Sequence, residues 1–241
     1  MSEAVIVTGA AGGIGVALCE RLSGDGLITI GIDREVATAA DIEVRVDMAD
    51  SERLLNLGQE LGEEFNLKAI VHNAATQPIA GAGDTSLYDW MDTLRVNVVA
   101  VDALVSGARQ RMAMHKGSVT VVSSVHARAT TEGITAYATS KAALEGWVRS
   151  AALDLGPDIR VNAVAPGAID TPKLREGFAR WGPNGAEERK TILRERTALR
   201  RIGQPAEVAG AVSFLIGNDA SFITGTVITV DGGATARLGS E

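Results

Sequence analysis

Thr8-Gly9-Ala10-Ala11-Gly12-Gly13-Ile14-Gly15 joins an apolar run, Ala4 to Thr8, to a stretch from Ile14 to Ser23 with helical composition and apolar spacing. A glycine-rich turn that leaves a strand and opens a helix is the place from which the remaining chain is read. Glycines allow tight backbone geometry and the close approach of a bound group, and the free N–H groups at the positive helix end favour an anion. Such a turn is weak by itself, because any strand-to-helix junction can use one. Its position gives it meaning.

Downstream, the runs Leu27 to Ile32, Glu43 to Val46, Lys68 to His72, Ser118 to Ser123, Arg160 to Ala165 and Val227 to Val230 read as strands, mostly rich in Val and Ile. Helical patterns lie between them at Ser51 to Phe65, Ser86 to Met114, Ala136 to Leu155 and Ala206 to Gly217, with Ser51 and Pro205 as start signals. Alternation of continuously apolar strands with helices predicts an α/β fold, a doubly wound parallel sheet of about seven strands with helices on both faces. Such a sheet binds ligands at the carboxyl ends of its strands. Thr8 and Gly9, Asp33, Asp47, Asn73, Ser124, and Pro166 with Gly167 all fall at that edge. The segment 171–201 has neither strand nor core character, and Trp181, Gly182, Pro183, Asn184 and Gly185 break it into two charged helical pieces. It reads as a lid over a substrate, or equally as a solvated face.

The length of 241 residues suits one domain over 1–241, and 46% hydrophobic residues with 27 glycines and six prolines describe an ordinary globular chain. A net charge of −7 argues against a nucleic-acid partner, which needs clustered Lys and Arg. Apolar stretches stop well short of the roughly 18 residues that span a membrane, and the amino terminus lacks a secretory pattern, so a cytoplasmic location is expected. Cys19 is the only cysteine, which excludes an intrachain disulfide and fits a small buried thiol in the first helix. His72, His115 and His126 lack metal-ligand spacing, and no catalytic metal is expected.

Asp33 ends the second strand, about 20 residues past the glycine turn, where a carboxylate accepts hydrogen bonds from the ribose hydroxyls of a dinucleotide. It would repel a 2′-phosphate, which favours NAD over NADP. Arg34, turned toward a phosphate, leaves NADP as the alternative, and Asp33 also suits an N-cap. A second constellation follows: Ser124 lies 13 residues before Tyr137, and Lys141 four after it. Residues i and i+4 share a helix face roughly 5–6 Å apart, so an ammonium at 141 can favour the phenolate at 137, whose ordinary pKa is about 10. Tyr and Lys at this spacing more often mark a half-exposed helix face; the upstream serine and the glycine turn reverse the balance.

These residues resemble the short-chain dehydrogenase/reductase family along nearly the whole chain, from Thr8–Gly15 to the Val230-Asp231-Gly232-Gly233 run. The resemblance implies a Rossmann-like fold with Tyr137 as general acid/base. Lys141 then lowers the Tyr137 pKa and binds the nicotinamide ribose, Ser124 positions the substrate oxygen, and Asn97 anchors a water-linked proton relay. It implies nucleotide contacts from Gly9, Gly12, Gly13, Ile14, Gly15, Asp33 and Arg34, from Asp47 and Met48 beside the adenine, and from Asn73, Ala74 and Ala75. Tyr137 and Lys141 join them, and Pro166, Gly167, Ile169 and Thr171 pack on the nicotinamide. His72 and Ala75 depart from the family's NNAG pattern; His72 reads as a core or supporting group, and Ala75 adds a methyl near the cofactor. The implied reaction interconverts a secondary alcohol and a ketone with NAD. An NADP-dependent carbonyl reductase and a non-catalytic dinucleotide sensor are the rival readings. Gln77, His126, Glu132, Ile134, Phe178 and Trp181 are candidates to line the substrate pocket, and Lys173, Arg175 or Arg180 to meet a carboxylate. The family's habit implies a homotetramer formed through the segments Ser86 to Met114, Ala136 to Leu155 and Thr226 to Val230.

Overall fold

The computed structural model describes residues 3–179 and 182–237. Seven strands, β1 (Glu3–Thr8), β2 (Ile28–Asp33), β3 (Ile42–Arg45), β4 (Asn66–His72), β5 (Ser118–Val122), β6 (Arg160–Pro166) and β7 (Val227–Val230), form one sheet in the order β3-β2-β1-β4-β5-β6-β7. Every neighbouring pair is parallel. The expected doubly wound architecture is present, and each expected strand lies within two residues of its observed bounds.

The helices are α1 (Gly13–Gly24), α2 (Ser51–Glu64), α3 (Leu87–Leu94), α4 (Ala100–Met114), α5 (Thr135–Leu155), α6 (Pro172–Ala179), α7 (Gly182–Arg196) and α8 (Pro205–Ile216). Side chains alternate across a strand, so β1 feeds two cores. Val5 and Val7 pack with Leu18, Leu22, Val212 and Leu215 under α1 and α8. Ala4 and Ile6 face the other way, toward Leu54, Leu104, Leu144 and Val148 of α2, α4 and α5. Helix α2 meets α4 backbone to backbone: a Cβ on Gly58 would lie 2.4 Å from the Leu104 carbonyl oxygen, and one on Gly107 2.0 Å from that of Leu55.

Local signals differ from expectation in three places. Asp50, not Ser51, caps α2, its carboxylate accepting the Arg53 N–H at 3.0 Å. The pattern from Ser86 to Met114 is helical throughout, but Arg95–Val99 forms a π turn between α3 and α4. Pro183, Asn184 and Gly185 do not break the 171–201 segment, since they lie inside the first turn of α7, where proline is tolerated because its missing N–H has no helical partner. Trp181 and Arg180 lie outside the described residues. No helix among the described residues is long and apolar enough to cross a membrane. Tyr88 and Leu87 at the start of α3, Leu153 in α5 and Phe222 before β7 are exposed apolar or aromatic side chains.

The strand order reverses between β1 and β4, and Thr8 pairs in register with His72 there. A cavity of about 900 Å³, lined by Gln59, Met114 and Leu155 among others, sits at the opposite, amino-terminal end of the strands. The residues that carry chemistry gather instead at the carboxyl edge.

Candidate active site

At that edge Gly9 adopts φ 65°, and a Cβ there would lie 2.7 Å from the Ala74 Cα. A side chain at Gly15 would meet the Gly9 carbonyl oxygen at 2.0 Å, so both positions require glycine for the turn to close. Gly12 caps α1 without a side-chain hydrogen bond, and no acidic residue stands in the first helical turn. The free N–H groups of that turn therefore face no competing carboxylate. A Cβ on Gly12 would meet only the Gly9 oxygen, at 3.4 Å, which leaves the turn open at Gly12, whereas Gly13 lies under Pro172 and Thr171. That geometry fits a pyrophosphate.

Asp33 takes up the capping role weighed for it and adds one that the sequence did not suggest. One carboxylate oxygen accepts the Ala11 N–H at 3.0 Å and braces the glycine turn, and the other accepts the Glu35 N–H at 3.1 Å in the manner of a cap. Arg34 beside it is exposed. Asp47 is exposed and holds the Ala49 N–H at 2.9 Å, whereas Met48 is buried. Asn73 donates from Nδ2 to the Gly9 carbonyl at 2.9 Å, and the N–H groups of Asn73 and Ala74 both reach the Thr8 hydroxyl at 3.1 Å. Ala75 is exposed. Pro166 ends β6, Gly167 lies tight against Asp231, and Ile169 bridges to Gly203. Thr171 comes back over the first turn, where a Cβ on Gly13 would meet its side chain at 3.1 Å. The structure thus brings the glycine turn and the 166–171 stretch together.

Ser124 follows β5 in extended geometry and caps the short turn Val125–Ala127, its Oγ accepting the His126 N–H at 3.2 Å. The hydroxyl's own proton and remaining lone pair stay available to Tyr137, the third residue of α5. One turn on, the Lys141 Nζ lies 5.7 Å from the Tyr137 ring centroid and donates to the Val122 carbonyl at 2.7 Å. Burial pushes the Tyr137 phenol above its ordinary value, and Ser124 beside it works against that rise. The lowering expected from Lys141 does not prevail, because burial acts on the ammonium too. Burial first, then the charge of Lys173, pushes Lys141 down to about 7.

Asn97 sits fully buried in the π turn. Its side chain accepts the Thr76 N–H at 2.8 Å and donates to the Thr76 carbonyl at 3.0 Å and the Ser140 Oγ at 2.8 Å. Ser140 in turn donates to the Tyr137 carbonyl at 2.7 Å, so Asn97 is linked to the start of α5. Ser140 and Thr76 were missed by sequence reasoning; the one available signal was that Ser140, three after Tyr137, shares its helix face. Also missed was Glu145, buried one turn past Lys141, which accepts from Ser123 Oγ at 3.2 Å and from Arg128 Nε at 3.1 Å. It ties the loop after Ser124 to α5.

Among the pocket candidates, the His126 ring stands edge-on to Tyr137 at 6.2 Å, with burial lowering its pKa. Ile134 and Phe178 are buried, Gln77 is half-buried and Glu132 exposed. Arg175 is engaged by Asp170 at 2.8 Å, and exposed Lys173 makes its charge felt at Lys141.

Residues 9–235 match a family model described as Enoyl-(Acyl carrier protein) reductase. The chain belongs to the short-chain dehydrogenase/reductase family. It is 34% identical over 257 residues to "Dehydrogenase/reductase SDR family member 4" of Homo sapiens, covering 98% of this chain and 89% of that protein. The cyclopentanol dehydrogenase of a Comamonas species is 32% identical over 253 residues, with 98% of each covered. Ligand-free aldohexose dehydrogenase of Thermoplasma acidophilum superposes with a TM-score of 0.93 at 31% identity, covering 100% of this chain and 97% of that one. A putative NAD(P) dependent gluconate 5-dehydrogenase from Beutenbergia cavernae, with bound NADP, gives 0.89 at 28% identity and 98% coverage of each chain. The protein is therefore an oxidoreductase of a family that uses a nicotinamide dinucleotide.

Proposed function

We propose that the protein interconverts a secondary alcohol and a ketone with NAD. The observation that carries this reading is the Tyr137 phenol with Ser124 beside it and the buried Lys141 Nζ 5.7 Å from its ring. NAD, when bound, accepts hydride from the alcohol carbon. In the reducing direction the Tyr137 phenol, which burial keeps protonated, gives its proton to the carbonyl oxygen; in the oxidising direction it takes the hydroxyl proton as the phenolate, with Ser124 holding the oxygen throughout and the protonated form of Lys141 supplying positive charge beside it. Asn97 and Ser140 fix the start of α5 so that the phenol stays in reach. Gly9, Gly12, Gly13, Ile14 and Gly15 would hold the nucleotide, with Asp33 to meet its ribose and Thr171 to meet its nicotinamide.

General acid/base transfer contributes typically 10²–10⁴-fold, so Tyr137→Phe is expected to lower turnover by about that factor while leaving NAD affinity in place. Near-normal turnover in that variant overturns the mechanism. Binding without turnover across a broad panel of secondary alcohols and ketones favours a dinucleotide sensor instead.

NADP is the second reading, favoured by exposed Arg34 next to Asp33 and by the relative with bound NADP. Titration with each nucleotide separates the two. The remaining reading is one domain over 1–241 with 171–201 as a lid, working in the cytoplasm as a homotetramer on a small molecule, without nucleic-acid or membrane partners. The relatives' names place cyclic alcohols and sugars among the first substrates to try.

A further inference from the structure

Glu145 is a buried carboxylate on α5, 4% exposed, that the proposed reaction does not use. It stands four residues past Lys141 and eight past Tyr137, so the three side chains share one stripe of the helix. That stripe meets the end of β5 residue by residue. Lys141 Nζ donates to the Val122 carbonyl at 2.7 Å, and the Ser123 hydroxyl donates to Glu145 Oε1 at 3.2 Å. The Lys141 carbonyl, 3.5 Å away, has the weaker claim on that proton. Ser124 follows directly, and two residues on the His126 ring stands edge-on to Tyr137 at 6.2 Å.

The second carboxylate oxygen acts on the far side of Ser124. Glu145 Oε2 accepts the Arg128 Nε at 3.1 Å. Arg128 closes the turn that begins at Ser124: the Ala127 N–H reaches the Ser124 carbonyl at 3.0 Å, and those of Arg128 and Ala129 reach the Val125 carbonyl at 3.0 and 2.9 Å. The Arg128 side chain is 58% exposed, so its contact with the carboxylate, more than packing, holds it in place. A buried carboxylate needs partners, and here its two oxygens take theirs from either side of Ser124. One side chain of the helix that carries Tyr137 thus grips the segment that carries Ser124 at both ends.

We propose that Glu145 is a positioning residue that sets the spacing of Ser124 from Tyr137 through two separable contacts: Ser123 fixes Ser124 at the reacting oxygen, and Arg128 holds the 125–129 turn, with His126, against the Tyr137 side of the substrate site. It rests on the reading of Tyr137 as the proton carrier.

Ser123→Ala removes the first contact and Arg128→Met the second. Glu145→Ala removes both, and Glu145→Gln, whose amide can meet a hydroxyl and a guanidinium together, restores much of what alanine loses. Initial rates are measured at saturating nucleotide with the first alcohol turned over in a panel that starts from cyclopentanol, and backbone amide exchange is measured on the nucleotide-free protein. For Ser123→Ala, kcat is expected to fall by roughly fivefold to tenfold, the scale of one buried hydrogen bond, with the alcohol KM within about twofold of wild type. For Arg128→Met the alcohol KM rises by a similar factor and kcat falls less than about twofold. Glu145→Ala shows both changes, and Glu145→Gln recovers most of each. Should alanine at 145 fail to fold, the Ser123 and Arg128 pair still decides. Single variants that share one kinetic pattern, or variants that lower only the melting temperature, overturn the proposal. Exchange is expected to quicken around 123–125 in Ser123→Ala and around 127–129 in Arg128→Met. That readout needs no turnover, so exchange unchanged in both variants overturns the proposal whatever becomes of the alcohol dehydrogenase reading.

Discussion

Lys141 shows how far a single residue is governed by its surroundings. Its folded value of about 7 lies below the ordinary 10.5, so between those values the unfolded chain binds more protons than the folded one. Stability therefore rises as pH climbs through that window. Melting temperatures from pH 6 to 10 are expected to rise in wild type relative to Lys141→Met, which removes the titrating group; parallel curves for the two proteins contradict this. Lys173→Met removes a repelling charge and is expected to move the onset of the wild-type rise to higher pH in the same experiment. His72 acts at the other end of the scale: burial, then Lys141, pushes it down to about 3 from 6.5, so stability is lost as pH falls through that range. At Asp33, one of whose oxygens braces the glycine turn through Ala11, Asp33→Ala is expected to weaken NAD binding by roughly tenfold or more, the scale of a hydrogen bond to a charged group, with NADP binding weakened less. Isothermal titration with each nucleotide checks it.

Among the elements, α2 and α4 make the tightest demand. Gly107 has the Leu55 carbonyl oxygen where a methyl would stand, so Gly107→Ala must push the helices apart. Overpacking costs about 1–3 kcal/mol against a helix-propensity gain of about 1, so a net loss is expected in urea unfolding, and a gain refutes the close contact. The strands were legible in sequence because each is apolar along its length, as a sheet covered on both faces requires. The helical pattern from Ser86 to Met114 was legible as well, but not the π turn within it. Asn97 is held there by Thr76 and Ser140, which lie 21 and 43 residues away, and no local spacing encodes such pairing. Ser124, Tyr137 and Lys141 could be picked out from their spacing only in the company of the glycine turn, whereas the depression of Lys141 could not, since burial belongs to the packed molecule. Glu145 escaped for the same reason: an acidic residue on a long helix reads as surface until the fold covers it.

At the scale of the whole molecule, β7 lies at the sheet edge and Phe222 just before it is fully exposed, with Leu153 of α5 also in solvent. Apolar surface of this kind beside an open strand edge suits contact with further copies. Light scattering is expected to give a mass near four times 25.0 kDa, and Phe222→Asp a smaller one. A monomeric wild type refutes the assembly, and an unchanged mass in the variant removes Phe222 from it. The chain holds two tyrosines, Tyr88 out in solvent on α3 and Tyr137 against Ser124. Tyr88→Phe therefore leaves a single phenol chromophore in the molecule, and its ultraviolet ionisation signal would report optically on the site itself, with no substrate needed to see it.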